Sequence, residues 1–189
     1  MRTSKIERLT KETRVKIELD LDGNGHSHVV TCIDFLDHLL SSFAKHGRFD
    51  LKVRATGDNE HHIVEDVAIA LGDAFTKALG DKRGIRRFGH AILPMDDVLI
   101  LVSVDIGGRS YCVNGVAFKR KMIEGMSSEM IPHFLTTFSS EFKINLHTRL
   151  LDGKNEHHKA EALFKAIGVA LREACSVVGR DIPSTKGML

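Results

Sequence analysis

The stretch NEHH stands at Asn59–His62 and again at Asn155–His158. With 11 histidines in 189 residues, one repeated pair could be an accident, so the flanks have to decide. HLLSSFAKHGRFDLKVRATGDNEHH (His38–His62) runs parallel to HFLTTFSSEFKINLHTRLLDGKNEHH (His133–His158) with one residue of slack. His38 meets His133, Leu40 meets Leu135, and Phe43 meets Phe138. The register continues beyond the pairs: Glu65 meets Glu161, Ala70 meets Ala166, Gly72 meets Gly168, and Ala74 meets Ala170. Self-similarity of this length marks a duplicated structural unit. The matched positions include polar His and Glu as well as the apolar frame, so chemistry is duplicated along with fold.

Each half reads as the same mixed unit. VKIELDL (Val15–Leu21) alternates like a half-buried strand; its counterpart VLILVSVDI (Val98–Ile106) is more continuously apolar and more buried. Both end in Gly-containing turns. Asp34–Gly47 carries Phe35, Leu36, Leu39, Leu40 and Phe43 at helical spacing, with Asp34 as N-cap and Gly47 as the stop. Ser128–Phe142 is its counterpart, where Pro132 must sit in the first turn or the helix starts late. A strand follows in each half (FDLKVRA, FKINLHTRL), then a second helix, Glu60–Leu79 and His157–Val178. The expected fold is α+β: a tandem β-β-α-β-α unit, two sheets each covered by helices. Residues 1–85 and 86–189 form the two halves, packed together as one globular subunit.

Composition narrows the function. Apolar content of 42% and charge content of 28% are those of a globular chain able to bury a core without disulfides. A net charge of +2 argues against a dedicated nucleic-acid binder. Three widely spaced cysteines (Cys32, Cys112, Cys175) make neither a disulfide framework nor a CxxC site, which suits a reducing cytosol. The charged N-terminus lacks a signal-peptide core, and the longest apolar run, Val98–Val102, is too short for a bilayer. No membrane partner is expected.

Both pairs open a predicted helix. His61 and Glu65 lie four apart and share a face, as do His157 and Glu161. Adjacent helical residues diverge by about 100°, so the two rings of a pair suit two different ions. Two related metal sites are therefore expected, with ligands from both halves: His38, His61, His62 and Glu65, and His133, His157, His158 and Glu161. Divided evenly, that is three imidazoles and one carboxylate per ion, a set with open positions suited to octahedral Mn²⁺, Fe²⁺, Co²⁺ or Ni²⁺, or to Zn²⁺ by affinity. A second set reads as anion-binding: KRGIRRFGH (Lys82–His90), GGRSY with Arg109, and the C-terminal PSTKG with Ser184, Thr185 and Lys186.

Taken together, FLDHLLSSFAKHGRFDL, GDNEHHIVEDVAIALG, ALGDKRGIRRFG, PMDD, GGRSY, NEHHKAEALFKAI and PSTKG resemble the imidazoleglycerol-phosphate dehydratase family of histidine biosynthesis, in order and over essentially the whole chain. The resemblance implies a unit related to the second domain of ribosomal protein S5, and a hollow shell of twenty-four subunits with active sites between them. It implies two Mn²⁺ ions per site, bound by the eight His and Glu residues above, that hold the substrate as an imidazolate while water is eliminated. It places Arg87, Arg109, Ser184 and Lys186 at the phosphate, Glu12 in TKET as the acid/base carboxylate, and Lys165 in the substrate pocket. Glu65 and Glu161 count among the catalytic set.

The chain departs from the family pattern in three places. The loop before His61 is shortened, with Glu60 where the family carries another acidic residue. Ser42 stands where many members have Gln. The stretch GNGHSHVVTCIDFLDH differs from the common form. Three other readings remain, and another metal-dependent lyase or hydrolase is the most serious competitor. A metal-storage protein would leave Arg87, Arg109 and PSTKG idle. An RNA-binding module fits poorly with one Tyr and no Trp.

Overall fold

The computed structural model describes residues 1–189. In chain order the first half holds β1 (Thr3–Leu9), β2 (Thr13–Asp20), β3 (Ser27–Val30), α1 (Asp34–Gly47), β4 (Asp50–Gly57) and α2 (Glu60–Leu79). The second holds β5 (Phe88–Met95), β6 (Val98–Asp105), β7 (Tyr111–Gly115), a hairpin of β8 (Met122–Ile123) and β9 (Met126–Ser127), α3 (Met130–Phe142), β10 (Asn145–Asp152) and α4 (Glu156–Cys175). The two sheets have strand orders β1-β2-β4-β3 and β5-β6-β10-β7, which are the same order position for position. In each, three antiparallel strands carry a parallel edge strand. That edge strand, β3 or β7, is one strand beyond the β-β-α-β-α unit. The division expected at 85/86 falls in the connection between α2 and β5.

Period-two burial explains the layering. On β2, Val15, Ile17 and Leu19 are buried while Arg14 and Lys16 are exposed, so one sheet face meets the helices and the other meets water. All four helices lie between the sheets: α2 on β1 and β2, α4 on β5 and β6, with α1 crossing α4 and α3 crossing α2. Helices from different halves thus pair, and the two halves share one core. Phe75 of α2 sits at its middle, with ring centroids of Phe43, Phe49, Phe138 and Phe142 at 5.1–6.0 Å.

The helix crossings depend on the aligned glycines. A Cβ on Gly168 of α4 would meet the Phe43 carbonyl and lie 3.0 Å from the Gly47 nitrogen on α1. A Cβ on Gly72 of α2 would lie 2.7 Å from Glu141 Cβ and 2.9 Å from the Phe142 nitrogen on α3. Duplicated glycines mark the close approach of duplicated helix pairs.

Several boundaries differ from the sequence reading. Asp34 does not cap α1: the N-cap is Ile33, without a side-chain bond, and Asp34 is already helical. The entry is tied instead by Asp37, whose Oδ1 accepts the Thr31 N–H at 2.8 Å. Gly47 is the last helical residue, and Arg48 takes the left-handed position at φ 55°. Gly47 is small for another reason, since a Cβ there would run into the Phe49 ring. α3 starts at Met130, two residues after Ser128. α4 starts at Glu156 and ends at Cys175, because Ser176 turns extended and Val177 pairs with Ile85. No helix is long and apolar enough to cross a membrane.

Candidate functional site

Each NEHH has one job per letter. Asn59 and Asn155 are N-caps in the extended conformation, and their Oδ1 atoms accept the N–H of His62 at 2.9 Å and of His158 at 3.1 Å. The glutamates turn inward to hold the segment between β7 and α3. Glu60 accepts the Ser127 N–H at 3.2 Å, and Glu156 accepts the Lys119 N–H at 3.1 Å. Glu156 is also paired with Lys159 at 3.1 Å, both groups almost fully buried. The rings of each histidine pair then diverge, with interplanar angles of 80° in the first and 90° in the second.

The α1–α4 crossing brings His38 to His157 and Glu161. His38 Nε2 lies 3.0 Å from Glu161 Oε2, and His157 Nε2 lies 3.1 Å from the same oxygen. One turn on, Lys165 donates from Nζ to Glu161 Oε1 at 2.7 Å, so Lys165 lines this group rather than open solvent. Burial pushes the Glu161 carboxyl up, but the bonds from Lys165 and His38 outweigh it and bring the group down to about 2.

The α2–α3 crossing builds the counterpart. His133 of α3 stacks on His61 of α2 with centroids 4.5 Å apart, and His133 Nε2 stands 3.6 Å from Glu65 Oε1. That nitrogen is buried and has no hydrogen-bond partner. In each trio the nitrogen and oxygen atoms lie within 4.8 Å of one another, and each trio draws on both halves. Two imidazoles and one carboxylate around a common point, with one nitrogen orphaned, fit a divalent cation that keeps open coordination positions.

His62 and His158 belong to neither trio. His62 Nδ1 lies 2.8 Å from Asp58 Oδ1, which holds the ring above its ordinary pKa, and 3.7 Å from Glu12 Oε2. Asn59 Nδ2 is also 2.9 Å from this nitrogen, but the carboxylate is the stronger, charge-assisted partner. His158 Nδ1 lies 2.8 Å from Asp97 Oδ1. Glu12 therefore sits beside His62, at the β1–β2 turn. Its neighbour Thr13 is bonded to buried Asp66 of α2, and the Glu12 carbonyl accepts the Asp58 N–H at 3.1 Å.

The anion-binding candidates gather elsewhere. Arg87 forks onto Asp105 at 2.7 and 3.1 Å and donates from Nη1 to the Pro183 carbonyl at 2.9 Å. This docks the PSTKG tail, where Ser184 Oγ accepts the Lys186 N–H at 3.2 Å. The C-terminal Leu189 abuts Gly108, next to exposed Arg109. The Arg87 N–H bonds the Ala174 carbonyl at the far end of α4. His157 lies at the near end, and a helix rising 1.5 Å per residue puts about 25 Å between them. Within one chain, the His38–His157–Glu161 trio and the anion set do not share a site.

The model of the family described as imidazoleglycerol-phosphate dehydratase matches residues 31–171. The chain belongs to the imidazoleglycerol-phosphate dehydratase family. The dehydratase of Chlorobium chlorochromatii is 51% identical, over all of this chain and 97% of its own length. That of Methanococcoides burtonii is 50% identical over the whole of both chains. The crystal structure of the Pyrococcus furiosus enzyme superposes with a TM-score of 0.84 at 36% identity, over 97% of this chain and all of that one. The Staphylococcus aureus enzyme superposes with a TM-score of 0.84 at 30% identity, over 94% of this chain and 99% of its own. Membership makes the protein a hydro-lyase of histidine biosynthesis.

Against this family assignment, sequence reasoning missed two groups of residues. The capping role of Asn59 and Asn155 was readable, since an Asn directly before a periodic helix is a start signal. The roles of Asp58 and Asp97 carried no such signal. Asp97 arrives from the β5–β6 turn, far from His158 in sequence.

Proposed function

We propose that the protein eliminates water from D-erythro-imidazole glycerol phosphate to give imidazole acetol phosphate, in an active site assembled between subunits and holding two Mn²⁺ ions. The pair of mixed-half trios, His38–His157–Glu161 and His61–Glu65–His133, carries the metal reading. His62 and His158, turned away from both, are the remaining two of the eight ligands and complete the sites of neighbouring copies. When bound, the ions supply Lewis-acid charge that stabilises the substrate ring as an imidazolate.

The chain's own groups do the rest. The proton to be removed sits on a carbon beside the ring, and Glu12 next to His62 is the carboxylate that moves it. Lys165, held on Glu161, faces the substrate pocket. Arg87, Arg109, Ser184 and Lys186 clamp the phosphate, which fixes orientation far from the reacting carbon. For Arg87 this means exchanging part of its fork from Asp105 to phosphate. The separation of the anion set from the His38–His157–Glu161 trio along α4 supports a site shared between copies, and the reading takes the assembly to be the family's shell of twenty-four. Three free cysteines suit the reducing cytoplasm in which we place the enzyme.

The decisive assay adds Mn²⁺ and imidazole glycerol phosphate to chelator-stripped protein. The acetol product should form only with metal; no product at any loading would overturn the reading.

A further inference from the structure

We infer that Asp97 and Asp58 are positioning residues that fix which ring nitrogen His158 and His62 present as a metal ligand. The inference rests on the metal reading above and names residues that the eight-ligand set does not contain. An exposed histidine in the first turn of a helix has several rotamers and two tautomers, and only one combination offers Nε2 as a lone pair pointing outward.

For His158 the structure selects one. Nδ1 lies 2.8 Å from Asp97 Oδ1, so the ring proton is given to the carboxylate. The other oxygen of Asp97 accepts the Lys154 N–H at 2.8 Å and the Asn155 N–H at 3.1 Å. The acid is thus fixed by backbone, and the ring by the acid. Nε2 is left facing out past exposed Asp96, whose Oδ2 is 3.4 Å away. A carboxylate on the far nitrogen is how proteins orient metal-ligating imidazoles and raise their basicity.

The first half reaches the same geometry from a different position, and that argues for function over inheritance. With NEHH in register, the residue matching Asp58 is Lys154, which cannot accept a ring proton. Duplication alone therefore does not explain the match of 2.8 Å at His62 to 2.8 Å at His158. In the second half the hairpin turn supplies the acid. In the first half the equivalent turn carries Glu12, which lies further off at 3.7 Å and is assigned the proton transfer. Asp58 holds His62 and leaves Glu12 free for that step. Asp58 stands four residues before His62, directly ahead of the Asn59 N-cap.

The test is an electron paramagnetic resonance titration of chelator-stripped full-length protein with Mn²⁺. Asp97→Asn is the informative variant. Its amide oxygen keeps both backbone bonds, but its NH₂ confronts Nδ1 and favours the tautomer that carries hydrogen on Nε2. Asp97→Asn and Asp58→Asn should each weaken Mn²⁺ binding roughly ten- to a hundredfold. Asp97→Glu should recover most of the loss, which a merely structural role would not predict. Circular dichroism checks folding, and Asp58→Asn, in which no second segment is bridged, serves if Asp97→Asn does not fold. Wild-type binding with both Asn variants within twofold of it overturns this inference alone. A wild type that binds no Mn²⁺ overturns the metal reading and this inference with it.

Discussion

At the scale of the residue, the repeated NEHH divides into a cap, a brace and two diverging histidines. The histidines were legible because helical geometry forces neighbours apart by about 100°. The brace was not legible, because Glu60 and Glu156 look like ordinary first-turn acids until the segment they hold is seen. Glu156 with Lys159 is a buried ion pair, and removing one member strands the other charge. Glu156→Ala should therefore cost about 3–5 kcal/mol in urea unfolding. Lys159→Met combined with Glu156→Gln should cost less than that single change. Glu12 is different in kind: exposed and without a fold duty for its side chain beyond its place near His62. Glu12→Gln should abolish turnover, leave substrate binding measurable by calorimetry, and leave the melting temperature nearly unchanged. Near-normal turnover would remove Glu12 from the role of base.

At the scale of the element, the helices and the central strands followed from periodicity, and the short edge strands β3 and β7 did not. Those edges run parallel to β4 and β10 and lie far from them in sequence, so local pattern carries little trace of them. The glycine register proved more informative than the capping residues. Gly47 was readable as a stop but serves as a contact: a Cβ there would run into the Phe49 ring and stand 3.1 Å from the Gly168 carbonyl, where α1 crosses α4. That crossing also sets the distance from His38 to His157 and Glu161. Gly168→Ala should thus cost about 1–3 kcal/mol from overpacking. It should also weaken metal binding at that trio, whereas the same change at Gly72 should act on the His61–Glu65–His133 group. A Gly168→Ala protein with wild-type stability would show that the crossing is not tight. Asp50, at the start of β4, accepts the N–H groups of Asn24 at 2.8 Å and His26 at 2.9 Å, chiefly the latter, and these hold its carboxyl below the usual range. A folded pKa below the unfolded one, about 3.9, gives stability that is present above that pH and fades as pH falls through the folded value. The deficit of Asp50→Asn in urea melts should accordingly be seen at pH 7 and close below about pH 4.

At the scale of the whole molecule, one chain carries every part of the proposed site but not in one place. The His38–His157–Glu161 trio lies at the N-terminal end of α4 and the Arg87–PSTKG set at its C-terminal end, about 25 Å away by helix rise. A phosphate ester of a three-carbon chain on an imidazole cannot span that gap, and on the proposed reading one copy lends the metal ligands of that trio and another the phosphate clamp. Sequence alone could list both sets; their separation needed the path of α4. The consequence can be measured by complementation. His157→Ala removes a trio ligand and Arg87→Ala removes a clamp residue, and each variant alone should be inactive. Unfolded, mixed in equal amounts and refolded together, they should regain activity, because some sites then pair an intact trio from one copy with an intact clamp from the other. Random mixing of closed assemblies puts that fraction at about a quarter of the wild-type rate. If both sets served one site within a single chain, each chain would still carry a defect and the mixture would stay inactive.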